Sequence, residues 1–306
     1  MPLLLTSSDL QSQAVWASEF QHNTVFLDRP YDVVLGNGEA WIAQDGAERH
    51  LGPSDIVVVL LFRAPWEPAH ADDPFRSLES FLLLEEALDF AGCAVRPGLR
   101  DWRAAYSKAA LLRNDLFARV HAPNTILVDG QAGIAGAQVP SEYIVKCGYG
   151  VHRSVGDLRP RPSVIAAGTG FSPNASYRYV LQDYVEPVAE CRVYSAKQGQ
   201  SWKSAVFAMP CGARDCPDWR FTTQDRDLQV VADSHSELAE INEALAEDLR
   251  LWYLCSDFIL DASGAPHLVD LNPHGSWRWL PEQAAARVDD LVKESLLSFD
   301  DLASKP

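Results

Sequence analysis

The alternation of apolar and polar positions along the chain falls into three styles. At the start, Leu3–Thr6 and Thr24–Leu27 are short apolar runs separated by the amphipathic segment Asp9–Phe20, a βαβ pattern. Val33–Leu35 and Ala40–Ala43 flank a Gly36–Glu39 turn and predict a hairpin. Asp55–Phe62 is continuously apolar, as in a strand buried on both faces of a parallel sheet. The stretch Phe75–Ala91 carries Leu78, Phe81, Leu82, Leu88 and Ala91 at helical spacing, and PGLRDW near Arg100 marks a boundary.

The middle of the chain predicts a helix over Trp102–Arg119 and then strands at Pro123–Val128, Tyr143–Cys147, Tyr179–Val185, Cys191–Ser195 and Ala205–Met209. A Gly-, Ser-, Arg- and Pro-rich loop, Gly148–Pro162, interrupts them, an arrangement suited to a lid. The last third predicts a long helix over Glu237–Trp252, opened by a capping box at Ser234–Glu237. A hairpin follows over Asp257–Asn272, then a closing helix from Pro281.

Composition narrows the function. The 306 residues suffice for about two domains, and 26 basic against 42 acidic residues argue against nucleic acid or an anionic membrane as the main partner. The imbalance is uneven. Residues 1–100 hold 6 basic and 15 acidic side chains, 101–214 hold 13 and 8, and 215–306 hold 7 and 19. A net-basic middle suits an anionic ligand such as a polyphosphate, and an acidic end suits a cation. The first residues lack a basic region and a long apolar run, and no stretch approaches about 18 apolar residues, so a soluble, cytoplasmic protein is expected. The six cysteines are scattered. Cys211 and Cys216 alone are close, a weak zinc signal without a second pair or nearby histidines.

The richest stretch in chemistry is Cys255–Pro281. If Asp261–Pro266 forms the loop, Leu260 pairs with His267 and Asp257 faces Asp270, with Asn272 on the same face. Two carboxylates that close need a cation or a proton between them. Three oxygen donors favour Mg²⁺ or Mn²⁺; the alternative is a solvated hairpin face with two unrelated acids. Lysine is scarce, 6 against 20 arginines, yet Lys146 ends the apolar run EYIVK. It either meets an anion there, with the following CGYGVHRS closing over phosphates, or snorkels to water. Trp277 and Trp279 alternate in a chain with nine tryptophans, most of them expected in cores. His152 and His274 are proton-acceptor candidates or structural residues.

Together these segments resemble the ATP-grasp ligases over nearly the whole chain. SKAALLRNDLFARVHAPNTILV is similar to the entry of that core, with Lys108 as its first lysine, and YIVKC resembles the strand of the second, Lys146. LQDYVEPVAECRVY resembles the hinge and the acid-x-Arg strand that follows it, and DWR the triphosphate-arginine motif. Within the superfamily, MPLLLTSSD, LLFRAPW, DWR and NPHGSWRWLP look most like the graspetide synthetases, which make microviridin-type side-chain lactones and lactams in ribosomal peptides. Two positions depart from the family: Cys147 stands where proline is usual, and Asp270 where glutamate is.

The resemblance implies an α/β ATP-grasp fold. An N-terminal α/β (pre-ATP-grasp) domain would span 1–100, a central lid domain 101–185 and a C-terminal domain with the metal site 186–306. It implies ATP and Mg²⁺ (or Mn²⁺), with Lys108, Lys146, Gln182, Asp183, Tyr184, Val185, Glu190 and Arg220 around the nucleotide. Asp257, Asp270 and Asn272 would hold the metal, Arg192 and Arg220 would act in catalysis, and Arg63 and Arg192 would grip the substrate. The expected partner is a precursor peptide or a small-molecule carboxylate with an amine or alcohol acceptor; a homodimer is compatible with this. Three functions follow: a ligase crosslinking Asp or Glu side chains of a peptide, a ligase joining small molecules, and a nucleotide-binding module without catalysis.

Overall fold

A computed structural model describes residues 2–7, 23–61, 74–112, 120–129, 142–147, 163–166, 178–209, 211, 229–230, 235–273, 275–277 and 279–303. The segments predicted at Asp9–Phe20 and Gly148–Pro162 lie outside them, as do Arg63, His152, Cys216, Arg220 and His274.

The first layer is a parallel sheet of order β2-β1-β6-β7, built from β1 (Leu3–Thr6), β2 (Thr24–Phe26), β6 (Ile56–Leu60) and β7 (Ala94–Arg96). Its two central strands read LLLT and IVVVL because both faces are covered. Leu3, Leu5, Val57 and Val59 pack under helix α1 (Pro74–Ala91) through Phe81, Leu84 and Leu88. The opposite face, Leu4, Val58 and Leu60, meets Tyr194, Phe207, Cys255 and Trp277 of the C-terminal half and helix α4 (Glu282–Ala303). Each such leucine contributes roughly 2 kcal/mol of burial.

The predicted hairpin forms, as β3 (Asp32–Gly36) and β4 (Glu39–Gln44) around Asn37-Gly38, both at positive φ. A third strand, β5 (Ala47–Leu51), extends it to a meander. Four further strands, β8 (Thr125–Asp129), β9 (Glu142–Cys147), β10 (Ser163–Ala166) and β11 (Arg178–Asp183), make an antiparallel sheet of order β10-β9-β11-β8.

The largest sheet, order β14-β13-β12-β15-β16, is antiparallel throughout. It comprises β12 (Ala189–Gln198), β13 (Ser201–Met209), β14 (Gln229–Val230), β15 (Tyr253–Leu260) and β16 (Pro266–Asn272). One face turns toward the parallel sheet. The other carries Cys191, Val193, Leu254, Phe258 and Leu271 against helix α3 (Ser236–Asp248).

Three helix expectations are corrected. In place of one helix over Trp102–Arg119, α2 (Leu99–Tyr106) stops and a 3₁₀ turn (Ala109–Leu112) follows, because Lys108 adopts φ 61° between them; residues 113–119 lie outside the described set. The helix expected over Glu237–Trp252 ends at Asp248. Arg250, at φ 57°, donates its N–H to Glu247 O and Leu251 donates to Ala246 O, a Schellman closure that overrides the continuing apolar period. The capping box is absent: His235 is the N-cap, without a side-chain cap, and Ser236 already lies inside the helix.

The hairpin register is also corrected. Leu260 pairs with Pro266, and Ile259 with His267; a bulge then inserts Val269 and restores Asp257 opposite Asp270. The turn is built on Asp261, whose carboxylate accepts from Ser263 N (2.8 Å) and Oγ (2.6 Å), Ala265 N (3.1 Å) and the His267 ring (2.8 Å). The Ser263 hydroxyl, and after it His267, hold this carboxyl below its ordinary range. A depressed folded pKa gives stability that is present above the unfolded value near 3.9 and lost as pH falls through the folded one. Asp261→Asn is therefore expected to lower the melting temperature by an amount constant between pH 7 and about 5, narrowing below about pH 4. A gap that widens on acidification contradicts this. Among the described residues no helix is long and apolar enough to cross a membrane.

Candidate nucleotide and metal site

The face of the large sheet turned toward the parallel sheet carries one polar row. Arg192 on β12 pairs with Asp257 on β15, and Asp257 with Asp270 on β16. One step along, Tyr194, Cys255 and Asn272 form the next row. Antiparallel pairing thus puts the three oxygen-bearing residues on one face, as period-two alternation demands.

Arg192 is 9% exposed and binds Asp257 as a fork, Nε to Oδ1 at 2.5 Å and a terminal nitrogen to Oδ2 at 2.6 Å. Its guanidinium also lies 5.1 Å from the centre of the Trp279 ring. Burial by itself would lower the Arg192 pKa, but Asp257 in particular raises it well above the ordinary value, so the charge is permanent.

Lys108, 3% exposed, reaches the edge of β16. Its Nζ donates to Asp270 Oδ1 (2.7 Å), Asn272 Oδ1 (2.7 Å) and Leu271 O (2.6 Å). Asp270 additionally accepts from Leu271 N (3.0 Å) and Asn272 Nδ2 (3.1 Å). The left-handed backbone at Lys108, which breaks the predicted helix, starts the side chain on this course.

The turn after β16 is stapled by two tyrosines of the sheet and by its own Trp279. Tyr253 donates its hydroxyl to Gly275 O, Tyr194 to Ser276 O (2.9 Å), and Trp279 Nε1 to Ser276 O (2.7 Å). Trp277 is fully buried and donates to Asp289 on α4 at 2.7 Å. The two tryptophans divide: Trp277 is core, whereas Trp279, half-buried, roofs Arg192. Burial pushes Cys255 up to about 12 and raises the Tyr194 and Tyr253 phenols well above their usual value, so all three are neutral near pH 7.

Residues 182–185 stand at the end of β11 in the four-stranded antiparallel sheet. Gln182 is buried, paired between Thr125 and Ile144, and its Nε2 donates to Thr125 Oγ1 (3.1 Å). Asp183 N donates to Asn124 O, Asn124 Nδ2 to Asp183 Oδ2 (2.7 Å), and Tyr184 N to Glu142 O. The end of β11 is therefore tied to strands on both sides, while Val185 is half-buried. Lys146 lies on β9 opposite Val180. Glu190 shares the face of Arg192, paired with Met209 and Ile259.

The structure thus joins Arg192 to Asp257, and Lys108 to Asp270 and Asn272, by direct contact, sets the two groups side by side through the Asp257–Asp270 pairing, and places Gln182, Asp183 and Tyr184 together at the end of β11. The two tyrosines are additions that sequence reasoning missed; Gly275 and Trp279 were legible only as members of NPHGSWRWLP. Among the described residues no three His, Cys, Asp or Glu side chains converge. The oxygen set of two carboxylates and one amide nevertheless fits Mg²⁺, which is commonly bound by one or two carboxylates with waters and substrate phosphates completing its shell.

A chain of this architecture, with two acids and an asparagine on paired strands of one antiparallel sheet and a second antiparallel sheet preceding it in the chain, has the ATP-grasp fold. Among solved structures it is similar to a RiPP-associated ATP-grasp ligase from Chryseobacterium gregarium, in complex with ADP and a leader and core peptide. That match has TM-score 0.66 and 14% identity over 98% of this chain and 97% of the other. It is also similar to the macrocyclase MdnC bound with precursor peptide MdnA, from Microcystis aeruginosa (0.63, 15%, 96% and 99%). D-alanyl-alanine synthetase A from Vibrio cholerae matches at 0.60 and 13% over 99% and 98%. No family model matches the sequence, and no curated protein does.

Proposed function

We propose that this chain is an ATP-dependent ligase that activates a carboxylate as an acyl phosphate and passes the acyl group to a hydroxyl or amine, forming an ester or amide within a ribosomal precursor peptide. The observation that carries the reading is the register-locked row Arg192–Asp257–Asp270 with Asn272 and Lys108. It sits in a fold shared end to end with peptide-bound ATP-grasp ligases.

Residues 1–100 form the substrate-side domain, 101–185 the lid and 186–306 the metal-bearing domain. Gln182, Asp183, Tyr184 and Val185 line the base, Glu190 holds the ribose, and Lys108, Lys146 and Arg220 face the phosphates. Asp257, Asp270 and Asn272 would hold Mg²⁺, which would supply positive charge to offset that of the phosphates. The substrate carboxylate attacks the γ-phosphorus, ADP leaves, and the incoming oxygen or nitrogen displaces phosphate from the acyl carbon. No protein nucleophile takes part: the chain positions the reactants and stabilises charge. Arg192, and Arg63 from the N-terminal domain, grip the acyl group.

The test is mass spectrometry of the peptide encoded beside the gene after incubation with enzyme, ATP and Mg²⁺. Each bond formed removes one water from the peptide and releases one ADP. ADP release only with free amino acids, and an unaltered peptide mass, favours the second reading, a small-molecule ligase, for which the synthetase likeness speaks. Nucleotide binding with no turnover on either class of substrate defeats both.

A further inference from the structure

The candidate metal oxygens are already engaged by the chain itself. Both oxygens of Asp257 accept from Arg192, at 2.5 and 2.6 Å. Asp270 Oδ1 and Asn272 Oδ1 each accept from Lys108 at 2.7 Å, and Asp270 Oδ2 accepts from Asn272 Nδ2. An ammonium has three protons, and Lys108 directs all three here, the last to Leu271 O at 2.6 Å. Two anions and two nearly buried cations make this cluster formally neutral.

The geometry points to a counter-ion exchange: Lys108 and Arg192 neutralise the metal acids until divalent cation and nucleotide arrive together, and then move from the carboxylates to the phosphates. This deepens the ligase reading and rests on it. A divalent cation alone would add two positive charges beside a buried ammonium and guanidinium. A nucleotide alone would have to strip both cations from their acids and leave two carboxylates facing phosphate, the costly state for a buried pair that loses one partner. Each ligand takes the group that obstructs the other, so each raises the other's affinity by one common factor. Trp279 gives Arg192 a second anchor, so the guanidinium released from Asp257 stays at the site. Lys108 is therefore a positioning residue for the metal acids before it is a phosphate ligand.

The test reads Mn²⁺ binding to the full chain by the electron paramagnetic resonance of free Mn²⁺, with and without a non-hydrolysable ATP analogue. Nucleotide-free wild type is expected to bind Mn²⁺ weakly. Lys108→Met and Lys108→Gln, which leave Asp270 and Asn272 without the opposing charge, are expected to bind it at least about tenfold more tightly, while their affinity for the analogue with Mn²⁺ falls about tenfold. Glutamine keeps a hydrogen bond to Asp270 and so guards against misfolding of the methionine variant. Should neither variant fold, the wild-type cycle decides: analogue affinity with and without Mn²⁺ must differ by at least about tenfold beyond the analogue's own affinity for Mn²⁺. Nucleotide-free wild type binding Mn²⁺ as tightly as either variant, with the analogue still bound, overturns the exchange and leaves the ligase reading intact. Failure to bind the analogue under any condition overturns both.

Discussion

Asp257→Asn is expected to reduce ATP-dependent ligation at least about a hundredfold and to destabilise the protein at the same time. The two effects have separate causes. The activity loss follows from removing the one carboxylate that lies between Arg192 and Asp270 in the strand register. The stability loss follows from Arg192, which keeps its charge in a buried position without a full counter-charge. Breaking a buried pair from one side costs about 3 to 5 kcal/mol. Asp257 is 27% exposed and asparagine can still accept one hydrogen bond, so about 3 kcal/mol is expected. For a chain of this size that is a fall of roughly 5 °C in melting temperature.

The paired variant Arg192→Met, Asp257→Leu separates the causes. Apolar replacements of similar volume recover most of the stability, and the methionine can pack on the face of Trp279. Ligation stays lost because neither the metal oxygen nor the guanidinium returns. Thermal melting and ADP release on the same preparations check both statements. A paired variant that still ligates places the chemistry somewhere else.

The part of the site that was legible in the sequence is the part fixed by strand period. Asp257, Asp270 and Asn272 share a face because alternate residues of a strand do, and the opposition of the two acids follows once the hairpin is seen. The path to that opposition was not legible. The loop is one residue shorter than its sequence suggests, and the bulge at Val269 adds the residue back, so two errors of register cancel at Asp257. Lys108 was named only through the resemblance of its segment to the entry of the ATP-grasp core, which says nothing of its buried contacts. Those depend on a left-handed residue where the apolar pattern calls for uninterrupted helix. The same failing placed the end of α3 too late, since Leu249 and Trp252 keep helical spacing and are buried, yet Arg250 turns the chain between them. Strand β5 escaped because AERHL buries a single residue fully and shows no alternation. Apolar periodicity reports which positions face a core and says little about where the backbone bends to take them there.

Gly275→Ala is the second substitution expected to have a large effect, and its cause is space alone. The glycine does not require a left-handed backbone; a Cβ built on it would lie 2.1 Å from Cys255 Cβ and 2.6 Å from its Sγ. Neither atom can be cleared by a side-chain rotation of the new alanine, and Cys255 Cβ is fixed by the middle of β15. The backbone must shift instead, at a cost of about 3 kcal/mol or more. That backbone is the turn in which Gly275 N donates to Asn272 O at 3.1 Å, and which Tyr253, Tyr194 and Trp279 hold through its carbonyls. Moving it displaces Asn272 from Lys108 and Trp279 from Arg192, so Mg²⁺-dependent nucleotide affinity should fall along with stability. Cys255→Gly removes both overlapping atoms. In the Gly275→Ala background it is expected to restore much of the loss, although on its own it costs about 1 kcal/mol as a glycine within a strand. Opposite signs of one substitution in two backgrounds are the mark of direct contact. Chemical denaturation of the four proteins, with nucleotide titrations beside it, reads the cycle, and additive behaviour contradicts the contact. The glycine of Asn-Pro-x-Gly then belongs to the motif because the strand behind the site leaves no room for a side chain, and the asparagine three residues earlier keeps its place only while that room stays empty.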